Sequence, residues 1–535
     1  MSVLEVAGLS VRFGDAAVVE DVSFSIGAGE IVALTGESGS GKSMTALAAM
    51  GLLPRAAEAE GAVRLNSQDL MALSEPALCA WRGAEMGMVF QEPMTALNPV
   101  QSIGRQVAET VRLHQATTPA RAEEVARAAL DRVGLEEIPL TRYPHELSGG
   151  QRQRVVIAMA TALRPKLLIA DEPTTALDVT TQARILGLLK SLAREDGMAL
   201  LLITHDLAVV HGLADRIAVM NKGRIVESGP TAEVFRAQAH DYTRALFAAS
   251  RHRAHLMPRK ADTPLLEVAG VSQSFALPRR RLFGTRPHFD ALRDVTFSIR
   301  SGERVGLVGE SGSGKSTLTR AILGLEAARA GLVTLDGITI APGRTPSAAQ
   351  AKMQVVFQDP YGSFNPRHRV SRLITEPFHL MADPPRGAER QAAIAEALRA
   401  VGLSPEDAHR HIHAFSGGQR QRIAIARALI TKPEFIIFDE AVSALDVRVR
   451  ARILDLIADL SERYNLAYLF ISHDLSVVRG ITSRVLVLKA GRIVEEGPTE
   501  DVLTRPRHAY TRALIDAAPV LPETFSEAEP TRGAL

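Results

Sequence analysis

The sequence predicts an α/β fold that occurs twice in tandem, each copy built around a mostly parallel sheet. The string GESGSGKS occupies residues 36–43 and returns at residues 309–316, so the chain is an internal duplication. In both halves a short apolar run leads into this string and a helix-forming segment follows it. Further apolar runs of strand length alternate with helical segments, a pattern typical of parallel sheets with crossover helices.

The size and composition of the chain are those of a globular protein with several domains. Its 535 residues correspond to roughly two to four domains at ~150 residues each. Hydrophobic residues make up 46% and charged residues 23%, which excludes wholesale disorder and a polytopic membrane protein. The 62 basic residues nearly balance the 60 acidic ones, so no nucleic-acid partner is expected.

The amino terminus and the single cysteine favour the cytosol. No run approaches the ~18 consecutive apolar residues of a membrane span, and no secretion signal is expected. Cys79 alone cannot form an intramolecular disulfide or a four-cysteine zinc site, which favours a reducing compartment. We expect Cys79 and Trp81 to be packing residues of a helical region.

The repeated motifs set the predicted domain boundaries. SGGQRQR, an Asp-Glu pair, ALDV and a His-Asp pair follow the glycine-rich string in the same order in both halves. We predict a first domain at 1–248, a linker at 249–263, a second domain at 264–520 and a tail at 521–535. A basic, turn-rich insertion at 278–288 in the second half is predicted to be a hairpin loop.

The glycine-rich string matches GxxxxGK[ST], whose glycines let backbone N–H groups surround phosphate oxygens at a helix N-terminus. Lys42 and Lys315 would contact the β- and γ-phosphates, and Ser43 and Ser316 would contact Mg²⁺. A chance match is a poor explanation, because both copies lie between a strand and a helix. The candidate ATP-binding residues of the two loops are Gly36, Ser38, Gly39, Gly41, Lys42 and Ser43, and Gly309, Ser311, Gly312, Gly314, Lys315 and Ser316.

An Asp-Glu pair follows a strand-length apolar run in each half. Asp171 and Asp439 would join the Mg²⁺ shell, and Glu172 and Glu440 would orient or deprotonate the attacking water. An isolated Asp-Glu pair is usually a solvated strand end. The apolar strand before it and the phosphate loop upstream favour the catalytic interpretation.

A second anion-binding helix N-terminus is predicted at SGGQ, residues 148–151 and 416–419. With the phosphate loops, the Asp-Glu pairs, a glutamine after Val-Phe and a histidine after an apolar strand, this set resembles the ATP-binding cassette family over nearly the whole chain. The resemblance implies two P-loop ATPase domains, each with a mostly parallel core sheet, an antiparallel β subdomain and an α-helical signature subdomain. It also implies a head-to-tail pair of cassettes, in which the signature of one completes the nucleotide site of the other.

The resemblance assigns further roles residue by residue. The catalytic residues would be Glu172 and His205 in the first cassette and Glu440 and His473 in the second. The Mg²⁺ ligands would be Ser43, Gln91 and Asp171, and Ser316, Gln358 and Asp439, the two glutamines also belonging to the ATP-binding set. The signature residues that contact ATP would be Ser148, Gly149, Gly150 and Gln151, and Ser416, Gly417, Gly418 and Gln419. The D-loop aspartates would be Asp178 and Asp446.

The adenine platform is less well defined. Phe13 would stack on adenine in the first cassette. In the second cassette the insertion at 278–288 leaves two candidates, Phe275 and Phe289. A phenylalanine on a strand is more often a core residue than an adenine platform. The choice between Phe275 and Phe289 therefore stays open at this point.

Two further features indicate a subfamily. Each half has an Asn-Pro segment after the glutamine and a carboxyl-terminal H-x-Y-T-R-A-L, at residues 240–246 and 508–514. These segments resemble ATP-binding subunits of bacterial peptide, dipeptide, nickel and glutathione importers, here fused as in the oligopeptide or microcin C type. The resemblance implies ATP and Mg²⁺ as cofactors, two integral-membrane permease subunits and a periplasmic solute-binding protein as partners, and a peripheral position on the cytoplasmic face of the inner membrane.

The alternative function is that of a soluble ABC ATPase in translation or nucleic-acid metabolism. Such a protein would be expected to have a long charged helical linker, zinc-binding cysteines or a coiled-coil insertion. The sequence has a short linker and one cysteine, so the importer interpretation is favoured.

Overall fold

The computed structural model describes residues 2–91, 96–175, 177–257, 263–277, 286–359, 362–443, 445–522 and Phe525. Most of the predicted hairpin loop at 278–288, the alanines Ala176 and Ala444 of the ALDV motifs and most of the predicted tail lie outside these residues. The described residues form two compact units. The first draws on Met1–Leu177, Thr181–Arg251 and Pro519–Leu535, and the second on Asp178–Thr180 and His252–Ala518.

Strands and helices alternate through the amino-terminal half of the chain. Its strands are β1 (Ser2–Phe13), β2 (Ala16–Gly27), β3 (Ile31–Thr35), β4 (Glu58–Leu65), β5 (Gln68–Asp69), β6 (Met86–Val89), β7 (Leu167–Asp171), β8 (Ala199–Ile203), β9 (Arg216–Asn221) and β10 (Arg224–Pro230). Its helices are α1 (Lys42–Ala49), α2 (Glu75–Trp81), α3 (Ile103–His114), α4 (Pro119–Arg132), α5 (Gly149–Thr161), α6 (Val179–Asp196), α7 (Leu207–Leu213), α8 (Thr231–Ala237) and α9 (Asp241–Ser250).

The carboxyl-terminal half repeats this order. Its strands are β11 (Pro264–Ala276), β12 (His288–Arg300), β13 (Arg304–Val308), β14 (Ala330–Leu335), β15 (Ile338–Thr339), β16 (Met353–Val356), β17 (Phe435–Asp439), β18 (Ala467–Ile471), β19 (Arg484–Lys489) and β20 (Arg492–Pro498). Its helices are α10 (Lys315–Ile322), α11 (Ser347–Lys352), α12 (Val370–Ile374), α13 (Gly387–Ala400), α14 (Gly417–Leu429), α15 (Val447–Tyr464), α16 (Leu475–Ile481), α17 (Thr499–Thr504) and α18 (Ala509–Asp516).

The core of each unit is a six-stranded sheet, as far as the described residues show. In the first unit the strand order is β10-β9-β3-β8-β7-β6, and every neighbouring pair is parallel except the edge hairpin of β9 and β10. The second unit has the equivalent order β20-β19-β13-β18-β17-β16. Strands β3, β7 and β8 are buried throughout, which explains why they read as continuous apolar runs.

This topology brings the ends of the functional strands to one edge. The carboxyl ends of β3, β7 and β8 meet because the three strands are parallel and lie in one sheet, with β8 between the other two. Ligands of open α/β sheets bind outside these strand ends. The glycine-rich string, the Asp-Glu pair and the His-Asp pair each follow one of the three strands.

A second, antiparallel sheet accompanies each core sheet. Its order is β2-β1-β4-β5 in the first unit and β12-β11-β14-β15 in the second. A group of helices precedes β7 in the first unit and β17 in the second. In the first unit α3, α4 and α5 pack against one another. The predicted α/β fold with a parallel core, an antiparallel β region and a helical region is therefore confirmed in both halves.

One packing prediction is wrong. Cys79 lies on the short helix α2 and its side chain is exposed, whereas Trp81 is half-buried against the core of the first unit. Leu78 is the buried residue of this helix, and Cys79, one position further, points about 100° away from it. Among the residues that the structure describes, no helix combines the length and the apolar character that crossing a membrane requires.

Candidate functional site

Each phosphate loop connects a central strand to the N-terminus of the following helix. In the first unit the loop leaves β3, and α1 begins at Lys42 after Gly41, which has φ 104°. Lys42 is buried, and its Nζ donates to the carbonyl oxygens of Gly36 and Glu37, both at 2.8 Å. Lys315 makes the same two bonds in the second unit, at 2.7 and 2.8 Å, and burial lowers its pKa. Both lysines are thus held against their own loop.

Two loop glycines are required by a close approach of the backbone. A Cβ on Gly36, which has φ 151°, would lie 2.2 Å from the carbonyl oxygen of Met220. The equivalent Cβ on Gly309, φ 156°, would lie 2.2 Å from the carbonyl oxygen of Leu488. The crest of each loop is open, because the predicted contact residues Ser38, Gly39, Ser43, Ser311, Gly312 and Ser316 are exposed.

The aspartate of each Asp-Glu pair ends a core strand beside the phosphate loop. Asp171 is buried, and Ser43 forms a side-chain hydrogen bond to it. Burial raises the pKa of Asp171, and the bond from Ser43 opposes that effect. In the second unit, burial and the neighbouring Glu440 raise the pKa of Asp439 to about 6. Carboxylate and hydroxyl oxygens in this position are ligands that suit Mg²⁺.

Glu172 is the most tightly held of the predicted catalytic residues. Its Oε1 lies 2.9 Å from His205 Nδ1, and its Oε2 accepts from Thr175 Oγ1 at 2.9 Å and from Gln91 Nε2 at 3.0 Å. Burial raises the pKa of Glu172, but the bonds from His205 and Thr175 outweigh it and lower the pKa to about 2. The carboxylate is therefore ionised and oriented.

The second unit has the same pair with looser contacts. Glu440 Oε2 lies 3.5 Å from His473 Nδ1, and Gln358 Nε2 lies 3.5 Å from Ser443 Oγ instead of reaching the glutamate. Burial opposes ionisation of Glu440, but the bond from His473 prevails and lowers its pKa. The same bond raises the pKa of His473 against the effect of burial.

Backbone geometry at the two glutamates is unusual. Glu172 has φ 46° and Glu440 has φ 50°, both in the left-handed region that glycine prefers. The N–H of Glu172 donates to the carbonyl oxygen of Ile203 at 2.9 Å, and that of Glu440 donates to Ile471 at 2.9 Å. Strained residues of this kind are enriched in active sites.

The signature segments cap the helices α5 and α14. Ser148 Oγ accepts from the N–H of Gln151 at 3.3 Å, and Gln151 Oε1 accepts from the N–H of Ser148 at 2.9 Å. Ser416 and Gln419 form the same capping box, at 3.4 and 3.0 Å. All four of these polar residues except Gln151 are exposed.

Small residues are needed within the signature segments. A Cβ on Gly150 would lie 2.2 Å from Thr181 Cγ2, and one on Gly418 would lie 2.4 Å from Val449 Cγ1. Gly149 and Gly417 have more space, with nothing closer than 3.7 Å to a Cβ on Gly149. The second glycine of each segment therefore leaves no room for a side chain, because helix α6 or α15 lies against it.

The two predicted D-loop aspartates lie at the start of long helices. Asp446 caps α15, its Oδ1 accepting from the N–H of Val449 at 3.0 Å. Asp178 is part of the second compact unit. Within that unit, Thr180 Oγ1 lies 2.7 Å from Asp178 Oδ1 and 2.8 Å from Glu310 Oε1.

The candidate adenine platforms lie on the antiparallel sheets. Phe13 ends β1, is half-buried and packs against the core of the first unit. Phe275 and Phe289 are direct cross-strand partners on β11 and β12, and both are exposed. Their side chains therefore share one face, so the two alternatives of the sequence analysis occupy one surface.

A hydroxyl residue three positions after each Asp-Glu glutamate, not predicted from the sequence, also belongs to the site. Thr175 binds the carboxylate of Glu172, and Ser443 occupies the equivalent position, where its Oγ donates to the carbonyl oxygen of Glu440 at 3.0 Å. The available signal was a hydroxyl residue three positions after the glutamate in both halves.

Comparison with family models identifies both halves. The ABC transporter model matches residues 19–175 and 292–443. The model of the oligopeptide/dipeptide transporter C-terminal region matches residues 226–263 and 494–534, so it follows each cassette.

Relatives match almost the full length of the chain. The peptidoglycan transport ATP-binding protein YejF of Agrobacterium fabrum is 45% identical over 96% of this chain and 96% of its own. The glutathione import ATP-binding protein GsiA of Escherichia coli O157:H7 is 45% identical over 99% of this chain and 90% of its own. The protein of the same name from Escherichia coli K12 is 44% identical with the same coverage. The chain belongs to the ABC transporter family: it is a tandem-cassette ATPase that binds ATP and energises an importer of the oligopeptide/dipeptide type.

Proposed function

We propose that this chain powers the import of a peptide, together with two integral-membrane permease subunits and a periplasmic solute-binding protein. The observation that carries the cargo class is the oligopeptide/dipeptide C-terminal region after each cassette. The relatives' names agree with it, since glutathione is a tripeptide and peptidoglycan contains short peptides. We place the chain peripherally on the cytoplasmic face of the bacterial inner membrane, as two nucleotide-binding domains at 1–248 and 264–520.

In each cassette the phosphate loop would bind the β- and γ-phosphates of ATP. Lys42 and Lys315 would exchange their loop carbonyl partners for phosphate oxygens, a change that their position in the loop allows. Phe13 in the first cassette, and Phe275 or Phe289 in the second, would stack on adenine.

Glu172 and Glu440 would align the attacking water, and His205 and His473 would orient these carboxylates. The support is the short Glu172–His205 contact and the ionised state of both glutamates. A carboxylate in this position can accept a proton from water as the bond to the γ-phosphate forms. The network around Glu172 has shorter contacts than the one around Glu440.

Mg²⁺ would be held by Ser43, Gln91 and Asp171 in one cassette and by Ser316, Gln358 and Asp439 in the other. When bound, the ion neutralises charge that develops on the transferred phosphate. The fit rests on the hydrogen bond between Ser43 and Asp171, two oxygen donors that meet beside the phosphate loop. Gln91 Nε2 donates to Glu172, so the Gln91 side chain would have to turn away from that carboxylate to become a ligand.

The signature segments would complete the opposite nucleotide sites. We propose that Ser416–Gln419 close the site of Lys42 and that Ser148–Gln151 close the site of Lys315, with Asp178 and Asp446 at the junctions. Exposed serines at helix N-termini are suited to this role, since the helix dipole favours a phosphate there. ATP binding would then draw the cassettes together, and regions near Gln91 and Gln358 would transmit the motion to the permease.

Purification from membranes tests the proposed partners. The tagged chain, isolated from gently solubilised membranes of its native host, is expected to carry two integral-membrane permease subunits. In vesicles containing this complex, the binding protein loaded with peptide should stimulate ATP hydrolysis, and the unloaded binding protein is the control. Recovery with ribosomes or nucleic acid and without a membrane partner would contradict the proposal and support the alternative function.

A further inference from the structure

The carboxyl-terminal H-x-Y-T-R-A-L segment of each cassette contacts the phosphate loop. In the first unit the backbone N–H of Glu37 donates to Tyr242 Oη at 3.0 Å, across 205 positions of sequence. In the second unit the N–H of Glu310 donates to Tyr510 Oη at 2.9 Å, across 200 positions. Two halves of diverged sequence therefore retain the same long-range bond. Both tyrosines are buried.

The same peptide group is also bound by the phosphate-loop lysine. The N–H of Glu37 and the carbonyl of Gly36 belong to one peptide plane. Tyr242 accepts from its N–H, and Lys42 Nζ donates to its carbonyl at 2.8 Å. In the second unit Lys315 Nζ donates to the carbonyl of Gly309 at 2.7 Å. Each tyrosine and each lysine therefore hold opposite ends of one peptide group.

The tyrosine is itself held in place by a chain of polar contacts. Glu227, on the edge strand β10, accepts from the N–H groups of Ala239 and His240 at 2.9 and 3.1 Å. His240 Nδ1 then accepts from the N–H of Tyr242 at 3.1 Å and caps helix α9. This arrangement fixes the helix that carries the tyrosine to the core sheet of the same unit.

The second unit repeats the chain of contacts. Glu495, on β20, accepts from the N–H groups of Arg507 and His508 at 2.7 and 3.0 Å. His508 Nδ1 in turn accepts from the backbone N–H of Tyr510 at 3.1 Å. Burial raises the pKa of Tyr510 to about 12, so its hydroxyl stays protonated at neutral pH.

We propose that Tyr242 and Tyr510 are positioning residues of the two ATP sites. Each hydroxyl fixes the first peptide group of its phosphate loop and keeps the loop shaped for phosphate while the lysine exchanges the loop carbonyl for ATP. Without the hydroxyl this half-buried N–H loses that hydrogen bond, and the peptide group is held less firmly. The proposal rests on ATP binding alone and does not depend on the identity of the cargo.

The test is the full-length double variant Tyr242→Phe with Tyr510→Phe, which keeps both rings and removes both hydroxyls. We expect the affinity for ATP, measured without Mg²⁺ by fluorescence of a labelled ATP analogue, to fall roughly three- to tenfold. In the ATPase assay KM should rise by a similar factor, with kcat changed by less than about twofold, since the glutamates are untouched. Hydrogen exchange in the loop peptides containing Glu37 and Glu310 should become faster.

Tyr468→Phe is the matched control. Tyr468 is fully buried, and its hydroxyl donates to the carbonyl oxygen of Ile481, away from the phosphate loop. This variant should lose thermal stability without a change in ATP affinity or loop exchange. If the double variant cannot be purified, the two single variants give the same comparison, one site at a time.

ATP affinity and loop exchange equal to those of the parent would overturn the proposal. The proposal would also be overturned if the double variant lost no more ATP affinity than Tyr468→Phe does at an equal loss of thermal stability. Because neither measurement needs a membrane partner or a peptide, failure here would leave the importer function untouched.

Discussion

Replacing Glu172 and Glu440 together by glutamine is expected to reduce ATP turnover by about 10²- to 10⁴-fold while ATP binding persists. Glutamine keeps the size of the side chain and can still accept from His205 or Thr175, which bind the carboxylate oxygens of Glu172. It cannot take the proton of the attacking water. The double variant should therefore bind ATP and accumulate in the ATP-bound state.

Phosphate release measures turnover, and a fluorescent ATP analogue measures binding. The matched control is Glu5→Gln with Glu267→Gln, the same chemical change at exposed positions on the antiparallel sheets of the two halves. The control should keep parental turnover. Undiminished hydrolysis in the Glu172 and Glu440 variant would reject these residues as the catalytic carboxylates.

The second large effect is expected from Gly36→Ala with Gly309→Ala. A Cβ at either position would lie 2.2 Å from a backbone carbonyl oxygen, which cannot move aside like a flexible side chain. Overpacking and strained backbone each cost about 1–3 kcal/mol, so the loop must shift and ATP affinity should fall by at least about tenfold.

Gly39→Ala with Gly312→Ala separates the clash from backbone strain. These glycines have φ 78° and 79°, and a Cβ on either meets no atom within 4 Å. We expect the control to weaken ATP binding clearly less than the Gly36 and Gly309 variant. Equal losses in the two variants, at equal thermal stability, would show that the close approach to Met220 and Leu488 is unimportant.

The fold was predictable because its signals are local and occur twice. Five-residue apolar runs such as β7 and β17 can be buried on both faces only in a parallel sheet, and each ends at an aspartate. The exposure of Cys79 was not predictable, since helix α2 is short and a shift of one residue moves a side chain from core to solvent.

The sequence indicates which residues belong to the candidate site, but it indicates their backbone conformation and long-range contacts poorly. Glu172 and His205, both assigned to one site by the resemblance, lie in contact because they follow neighbouring strands of the sheet. The left-handed backbone at Glu172 carries no local signal, as glutamate rarely adopts it. The contact of Tyr242 with Glu37 spans 205 positions, so only the folded chain reveals it.

The central claim is that each ATP is bound by the phosphate loop of one cassette and the signature of the other. Four exposed serines allow a direct test, because serine and cysteine are nearly isosteric: Ser38 and Ser311 in the phosphate loops, and Ser148 and Ser416 in the signatures. The native Cys79 is first replaced by serine. A protease site within residues 258–262 of the predicted linker then allows the two halves to be separated after reaction.

The measurement is cross-linking by a short bis-maleimide in the presence of ATP, in the Glu172→Gln and Glu440→Gln background. The account predicts that Ser38→Cys with Ser416→Cys, and Ser311→Cys with Ser148→Cys, hold the cleaved halves together on a denaturing gel. The pairs within one half, Ser38 with Ser148 and Ser311 with Ser416, serve as controls for the background. Halves that separate in both cross-pairs, although ATP is bound, would contradict it.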